Sequence, residues 1–354
     1  MKAFDLDGKA RFDKANMLGR VYGLPEQMEE AVTYTKGSGV TLDNRNIRSI
    51  VVTGLGGSAV GGDLLRSYAG DKCAVPIVVN RGYELPQFVR EDTLVFAVSY
   101  SGNTEETLSA YEEAKKRGAQ IVAITSGGEL SGRALADGFR AVLVPGGLQP
   151  RAAMGYLFIP QVVLLSDAGI IPPIGAELME AVVLLKEMRE KLAPTVPTAD
   201  NLAKQWALRL HGRIPLIHGA VGLTEAVAYR WKTQLNENAQ SLAFAHVYPE
   251  LNHNEVVGFD VPDQLIPQME VVTLRTGKNH PRIDRRIEIT TAELIEPTGC
   301  GILTVQAEGE SELAQMFSLL YYGDYVSTYL ALCYGIDPSP VEKIERLKRK
   351  LADR

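Results

Sequence analysis

The sequence predicts an α/β protein with two αβα sandwich domains, each built on a mostly parallel sheet, and an N-terminal helical arm. Short β-rich runs alternate with amphipathic helices from Ile47 onward, and each half carries a glycine-containing turn after its first run. Such alternation is typical of parallel sheets covered by helices on both faces. At 354 residues the chain exceeds one typical domain. We therefore expect an arm and first domain over residues 1–170, and a second domain with a C-terminal helix over 171–354.

The first 40 residues are polar and helical in pattern, and Leu18, Val21 and Leu24 are the expected docking residues of this arm. Five strands are then predicted at 47–53, 76–79, 94–99, 120–125 and 141–144, with helices at 59–68 and 104–117.

The second half repeats this plan after a helix at 154–166 and a proline-rich hinge at 171–173. Strands are predicted at 214–218, 269–276 and 302–306, and helices at 176–192, 200–210, 225–236, 282–295, 313–334 and 343–350. The shared order of strand, glycine turn and helix predicts an internal duplication.

Composition narrows the class of protein. A net charge of −6 with scattered basic residues gives no support for a nucleic-acid surface. Three distant cysteines, Cys73, Cys300 and Cys333, fit a reducing compartment better than a disulfide framework or a metal cluster. The chain has no apolar signal core and no apolar run of membrane-spanning length. A cytoplasmic enzyme without a nucleic-acid or membrane partner is expected.

The glycine-rich turn at 54–58 follows the first strand and leads into a helix. Glycines let the backbone approach a ligand closely, and unpaired N–H groups at a helix start favour an anion. Gly57 and Ser58 are therefore candidate phosphate ligands. The turn lacks the lysine of a Walker loop and is not a clean Gly-x-Gly-x-x-Gly. Tight packing of the helix on the strand is the alternative explanation.

Hydroxyls cluster at Ser99, Ser101 and Thr104, where a later strand ends and a helix begins. Small hydroxyls beside free N–H groups can hold a phosphate without any lysine. Helix capping by Thr104, with Thr107 reaching back, is the alternative, but it accounts for only one of the three hydroxyls. The pattern favours a phosphate cradle.

These residues resemble those of a known family. Gly56-Gly57-Ser58, followed later by Ser-Tyr-Ser-Gly-Asn-Thr-Glu-Glu-Thr at 99–107, resembles the SIS (sugar isomerase) domain. Within that group the chain is similar to the bifunctional phosphoglucose/phosphomannose isomerases over nearly its whole length. The segments that carry this similarity are the arm, 149–153, 236–238, 251–255 and the final helix.

The resemblance implies an aldose–ketose isomerase that interconverts glucose 6-phosphate, and mannose 6-phosphate, with fructose 6-phosphate through a cis-enediolate. That chemistry requires a base, a ring-opening acid/base and a cation for the enediolate charge. No metal or organic cofactor is expected, since the carbonyl itself acidifies the neighbouring C–H.

Glu237 and Arg151 are two of the implied catalytic residues. By resemblance Glu237 is the base that moves a proton between C1 and C2. Its position at a helix C-terminus alone would favour a solvated side chain, and the helix dipole disfavours a carboxylate there. Arg151 would stabilise the enediolate as a permanently charged planar cation, and a surface salt bridge is its alternative role.

Ring opening is implied for His253 and Lys348. His253 lies in a polar loop between Asn252 and Asn254-Glu255, and the family pattern implies that the partner subunit of a homodimer donates it. A surface histidine is the alternative, although an imidazole titrates near working pH. Lys343 is the other candidate for the ring-opening lysine. Either lysine could instead lie on a solvated face of its helix.

The other histidines match no motif and are expected to be structural or exposed: His211, His218, His246 and His280. None pairs with an acid at metal-ligand spacing, which makes a zinc mechanism less favoured.

Two alternative functions remain at the level of sequence. One is an amino-sugar-phosphate isomerase or deaminase on the same double-SIS plan. The other is a non-catalytic sugar-phosphate-binding regulator. A regulator needs the serine cradle but not Glu237, Arg151 and His253 together, so their joint presence favours catalysis.

Overall fold

The computed structural model describes residue 6 and residues 8–352 of the chain, without the side chain of residue 352. The remainder of the predicted arm, at 1–5 and 7, lies outside the described residues.

The first half contains a five-stranded, entirely parallel sheet. Its strands are β1 (Ser49–Thr53), β2 (Ile77–Asn80), β3 (Thr93–Val98), β4 (Gln120–Thr125) and β5 (Ala141–Leu143), in the order β2-β1-β3-β4-β5. Every strand predicted for this half overlaps an observed one. β1 and β3 are buried along their whole length because they lie inside the sheet.

The second half contains a parallel sheet of four strands. These are β6 (Ile214–Ala220), β7 (Phe244–Tyr248), β8 (Met269–Arg275) and β9 (Gly301–Gln306), in the order β7-β6-β8-β9. In both sheets the first strand lies between the second and the third, which confirms the predicted duplication of plan. The sequence interpretation missed β7, a five-residue edge strand in which His246 interrupts the apolar residues and only Tyr248 is buried.

Twelve α-helices are found in the described residues. They are α1 (Met17–Tyr22), α2 (Leu24–Gly37), α3 (Gly57–Ala69), α4 (Glu105–Lys116), α5 (Gly128–Ala136), α6 (Met154–Asp167), α7 (Gly175–Leu192), α8 (Leu202–Leu210), α9 (Leu223–Glu237), α10 (Pro281–Ile289), α11 (Glu312–Tyr334) and α12 (Glu342–Ala352).

The predicted helix over 282–295 is helical throughout, but its second half is not α-helix. The α-helix ends at Ile289, and a π-helical turn (Thr290–Ile295) and a 3-10 turn (Glu296–Thr298) follow. The Thr291 hydroxyl donates to the Ile287 carbonyl, a local bond that competes with regular helix geometry. Pro297 then prevents continuation of the helix because it lacks an N–H.

The core is organised around α11, which is buried from Leu313 to Cys333 and packs against α7, α8 and α9. The arm packs onto this body through α2 and α6, and the burial of Leu18, Val21 and Leu24 confirms their predicted docking role. Helices α3 and α9 pack directly on each other in opposite directions, so the start of α3 lies beside the end of α9.

Candidate functional site

A pocket lies at the carboxyl ends of the first-sheet strands, against α9. In the first sheet β1 lies between β2 and β3, so the connections that follow β1 and β3 lead in opposite directions and leave a crevice, where ligands bind in such folds. The pocket has a volume of about 100 Å³, and its lining includes Gly57, Arg81, Arg151, Arg230, Gln234 and Glu237.

Arg151 and Glu237 meet in this pocket although they lie 86 positions apart in sequence. The Arg151 Nη1 donates to Glu237 Oε2 over 3.3 Å, and the two side chains are 4% and 27% exposed. The alternative of a surface salt bridge for Arg151 is therefore wrong. Glu237 is the last residue of α9, where the helix dipole disfavours a carboxylate, and the guanidinium offsets that effect.

Arg151 is fixed by further acceptors. Its Nε donates to Asn238 Oδ1 over 2.6 Å, and its Nη2 donates to the carbonyls of Pro338 and Ser339 over 2.8 Å each. Burial lowers the pKa of the Arg151 guanidinium from its ordinary value, and Glu237 acts in the opposite direction. An arginine still keeps its charge in a protein, so the pocket holds a rigid cation beside a carboxylate.

Gly57 makes the approach of α3 to Arg151 possible. A Cβ at this position would lie 2.8 Å from the carbonyl carbon and oxygen of Pro150, and 3.0 Å from Arg151 N. The preceding Gly56 has a φ of 56°, in the left-handed region that favours glycine. The turn thus packs tightly, as the alternative explanation has it, and the start of α3 borders the pocket; the phosphate role of Gly57 and Ser58 stays a prediction.

The predicted phosphate ligands lie together around the ends of β1 and β3. Ser99 Oγ lies 2.9 Å from Thr104 Oγ1 and accepts a hydrogen bond from Gly102 N over 3.1 Å. Ser58 Oγ accepts from Tyr100 N over 3.2 Å, which ties the turn after β1 to the turn after β3. Ser101 is exposed, and its hydroxyl accepts from Asn103 N over 3.3 Å.

Thr104 occupies the N-cap position of α4, but its side chain makes no capping hydrogen bond within the described residues. Its hydroxyl contacts Ser99 instead. The capping role considered for Thr104 is therefore wrong, and the cluster of hydroxyls is left without that structural explanation.

The single chain does not bring His253 into the pocket lining. This exposed residue ends a 3-10 turn (Glu250–His253), and its role stays a prediction. The neighbouring Glu255 contacts other histidines: Oε1 lies 2.9 Å from His218 Nε2, and Oε2 lies 2.5 Å from His246 Nδ1. Glu255 therefore anchors the loop that carries His253 to the second sheet.

The pKa values of Glu255 and His246 follow from the hydrogen bonds between them. Burial raises the pKa of Glu255, but hydrogen bonds from His218 and His246 outweigh that effect and hold it at about 2. The hydrogen bond to Glu255 raises the pKa of His246. The structural role expected for these two histidines is confirmed. Within residues 6 and 8–352, no group of three or more His, Cys, Asp or Glu side chains is arranged to hold a metal ion.

Lys348 and its rival Lys343 are both exposed on α12 and do not line the pocket. The segment just before α12 reaches Arg151 through the Pro338 and Ser339 carbonyls, so the tail begins beside the pocket. The role of either lysine stays a prediction.

None of the helices in the described part of the chain is both long and apolar enough to cross a membrane.

Two arginines of the pocket were missed by the sequence interpretation. Arg81 directly follows β2, and a polar residue at the carboxyl end of a parallel strand is the signal that could have found it. Arg230 lies seven positions before Glu237 in α9, a spacing that places both on one face of a helix.

Two duplicated parallel sheets, a glycine turn before α3 and a serine-rich turn before α4 define an SIS-domain protein. The SIS domain model matches residues 43–136, and the model of the bacterial phospho-glucose isomerase C-terminal SIS domain matches residues 199–351.

The chain belongs to the bifunctional phosphoglucose/phosphomannose isomerase family. It is 48% identical to the family member of Caldicellulosiruptor bescii, over 95% of this chain and 99% of the relative. It is 38% identical to that of Thermoplasma acidophilum, over 86% and 90%. The C-terminal domain of glucosamine-fructose-6-phosphate aminotransferase from Francisella tularensis shares the fold, with a TM-score of 0.69, 16% identity, and coverage of 91% of this chain and 97% of that structure.

Proposed function

We propose that this protein is an aldose–ketose isomerase that interconverts glucose 6-phosphate, and mannose 6-phosphate, with fructose 6-phosphate. The observation that carries the proposal is the Arg151–Glu237 pair in a pocket at the strand ends, in a chain that belongs to this isomerase family. A base and a fixed cation side by side are what proton transfer next to a carbonyl requires.

In the proposed reaction, the Glu237 carboxylate takes the proton from C2 of the open-chain aldose. The C–H electron pair forms the double bond of the cis-enediolate, and the negative charge moves to oxygen. Arg151 stabilises that charge because its guanidinium is held by three protein acceptors besides Glu237 and does not need to reorient. The carboxyl group then returns the proton to C1 while the hydroxyl proton on O2 passes to O1, and the ketose carbonyl forms at C2.

The phosphate is proposed to bind Gly57, Ser58, Ser99, Ser101 and Thr104. Support comes from the hydroxyl network that joins the two turns, and from the helix starts that follow them. The anion would be held by neutral donors and by the dipoles of α3 and α4 rather than by lysine.

Ring opening is proposed for His253 of a partner subunit, with Lys348. The exposure of His253 fits a residue that completes a neighbouring site. Exposed apolar side chains at Leu242, Phe244 and Val257, around the edge strand β7, fit a homodimer interface close to this loop. A cytoplasmic location and the domain boundary at residue 170 belong to the same proposal.

The experiment that tests the function is a coupled assay. The wild-type protein is given fructose 6-phosphate, and formation of glucose 6-phosphate is followed with its dehydrogenase. Glu237→Gln should abolish turnover and leave sugar-phosphate affinity largely intact. Glu225→Gln, at the opposite end of α9 and paired with Arg66 outside the catalytic pair, is the matched control.

Three outcomes would contradict parts of the proposal. A Glu237→Gln variant with near-normal rate removes Glu237 from the role of base. Binding of fructose 6-phosphate without turnover by the wild type indicates a regulator. Release of ammonia from glucosamine 6-phosphate, without isomerisation of fructose 6-phosphate, indicates a deaminase.

A further inference from the structure

The pocket contains a third arginine whose situation differs from that of the other two. Arg151 and Arg230 are 3% and 1% exposed, and both are hydrogen-bonded to protein groups. Arg81 also lines the pocket, but its side chain is 35% exposed. Arg81 is therefore the pocket arginine that a bound molecule can reach most easily.

The position of Arg81 is set by the fold, by a hydrogen bond to Asp63 and by the Tyr229 ring, whose centroid lies 5.7 Å from the guanidinium carbon. It follows β2 directly, and its Nη2 donates to Asp63 Oδ2 on α3, the helix that begins at Gly57. Asp63 is the one hydrogen-bond acceptor that Arg81 contacts among the described residues. A guanidinium carries five N–H donors in a fixed fork, so donors remain for a ligand while Asp63 holds the group in place.

Arg81 lines the same pocket as the proposed base and the proposed cation. Its lining contains Arg81, Arg151 and Glu237 but none of the hydroxyl residues Ser99, Ser101 and Thr104. Arg81 therefore borders the space where proton transfer is proposed and the glycine turn at Gly57, whereas the hydroxyl turn at 99–104 is not part of that lining.

We propose that Arg81 contacts the sugar end of the substrate and is a second cation, beside Arg151, for the negative charge of the enediolate. This inference rests on the proposed isomerase function and adds a catalytic residue to it. The structural alternative is that Arg81 only neutralises the buried Asp63 carboxylate, whose side chain is 9% exposed.

Two inhibitors separate these roles. A five-carbon aldonate phosphate, arabinonate 5-phosphate, carries a carboxylate where the enediolate charge develops, whereas a polyol phosphate, sorbitol 6-phosphate, is neutral there. In Arg81→Met, affinity for the aldonate phosphate should fall about 10- to 100-fold, the range expected for a lost hydrogen bond to a charged group. Affinity for the polyol phosphate should change by less than about threefold, and kcat should fall more than KM rises.

The controls address folding and the alternative role. Arg66→Met removes an arginine from α3, the helix that carries Asp63; Arg66 pairs there with Glu225 over 3.0 Å, and its loss should leave the affinity for both inhibitors unchanged. Comparing Asp63→Asn with the double variant Asp63→Asn/Arg81→Met removes Arg81 without leaving Asp63 charged and buried. The selective loss of aldonate affinity should persist in that comparison.

Equal losses for both inhibitors would overturn the proposal in favour of a phosphate contact. Unchanged affinity for both in the double variant, relative to Asp63→Asn, would overturn it in favour of charge neutralisation alone. Failure of the isomerase function is a separate result, since it would appear as an inactive wild-type protein in the coupled assay.

Discussion

Arg230 and Asp324 form an ion pair inside the protein that also supports the backbone of the catalytic arginine. Arg230 Nη2 lies 2.7 Å and 2.9 Å from the two carboxylate oxygens of Asp324, and it donates to the Arg151 carbonyl over 2.9 Å. The side chains are only 2% and 6% exposed. The hydrogen bonds of Arg230 thus join α9 to α11 and to the turn that carries Arg151.

Replacing Asp324 with Asn should destabilise the protein by about 3–5 kcal/mol, because it leaves the Arg230 charge buried without its partner. The free energy of unfolding from urea titration is the measurement. Glu225→Gln is the control, since it removes an exposed pair worth at most about 1 kcal/mol. Similar values for the two variants would show that the buried charge is compensated in another way.

Replacing Arg151 with Lys should lower kcat by about 10²- to 10³-fold, the effect of losing a preorganised donor to a developing charge. A lysine keeps the charge but cannot reproduce the planar set of contacts to Glu237, Asn238, Pro338 and Ser339. Steady-state kinetics with fructose 6-phosphate, beside a melting curve to verify folding, is the measurement. A variant with unchanged kcat would exclude Arg151 from charge stabilisation.

Replacing both Ser101 and Thr104 with Ala should mainly raise KM. Each hydroxyl bound to a charged phosphate contributes about 1.5–3 kcal/mol, so a rise of tenfold or more is expected. Ser109→Ala, an exposed hydroxyl on the same helix α4, is the matched control. A collapse of kcat at constant KM would place these hydroxyls at the reacting carbons instead of the phosphate.

Replacing Gly102 with Ala should disrupt the serine-rich turn. Gly102 has a φ of 72°, and a Cβ there would lie 1.8 Å from the carbonyl oxygen of Gly127. Since the atoms that this Cβ would meet belong to the backbone of Gly127 and Gly128, they cannot easily move aside. We therefore expect lower thermal stability together with a raised KM. Gly132→Ala in α5 is the control, because nothing lies within 4 Å of its added Cβ. That change should stabilise the helix by up to about 1 kcal/mol; equal melting temperatures for the two variants would contradict the prediction.

The Glu255 anchor should make stability depend on pH. The pKa of Glu255 is lowered from 4.5 to about 2 in the folded protein, so its contribution is complete above pH 4.5 and is lost as pH falls through about 2. The pKa of His246 is raised from 6.5, so its contribution is complete below pH 6.5 and is lost as pH rises through the higher folded value.

Both contributions coincide between pH 4.5 and 6.5. The difference in melting temperature between the wild type and His246→Gln should be largest in this window and should shrink at higher pH. His280→Gln, a histidine at the N-cap of α10, is the control. A difference that does not change with pH would show that His246 contributes through packing alone.

Local patterns in the sequence were enough for most of the secondary structure and for part of the site. The strands of the first sheet are short apolar runs bounded by turn residues, and this periodicity depends only on neighbours in the chain. For the same reason the serine-rich turn could be recognised, because Ser99, Ser101 and Thr104 lie within one segment. The strand β7 escaped recognition because it is only five residues long, is interrupted by His246 and buries only its last residue at the sheet edge.

The sequence by itself determined the class of fold, the two glycine turns and, through a family resemblance, the identity of the candidate base and cation. Only the tertiary structure decided that Arg151 contacts Glu237, that Arg81 joins them, and that Glu255 holds His218 and His246 rather than His253. Contacts between residues far apart in the chain depend on how α3, α9 and the strands pack, and no local pattern of residues records that packing.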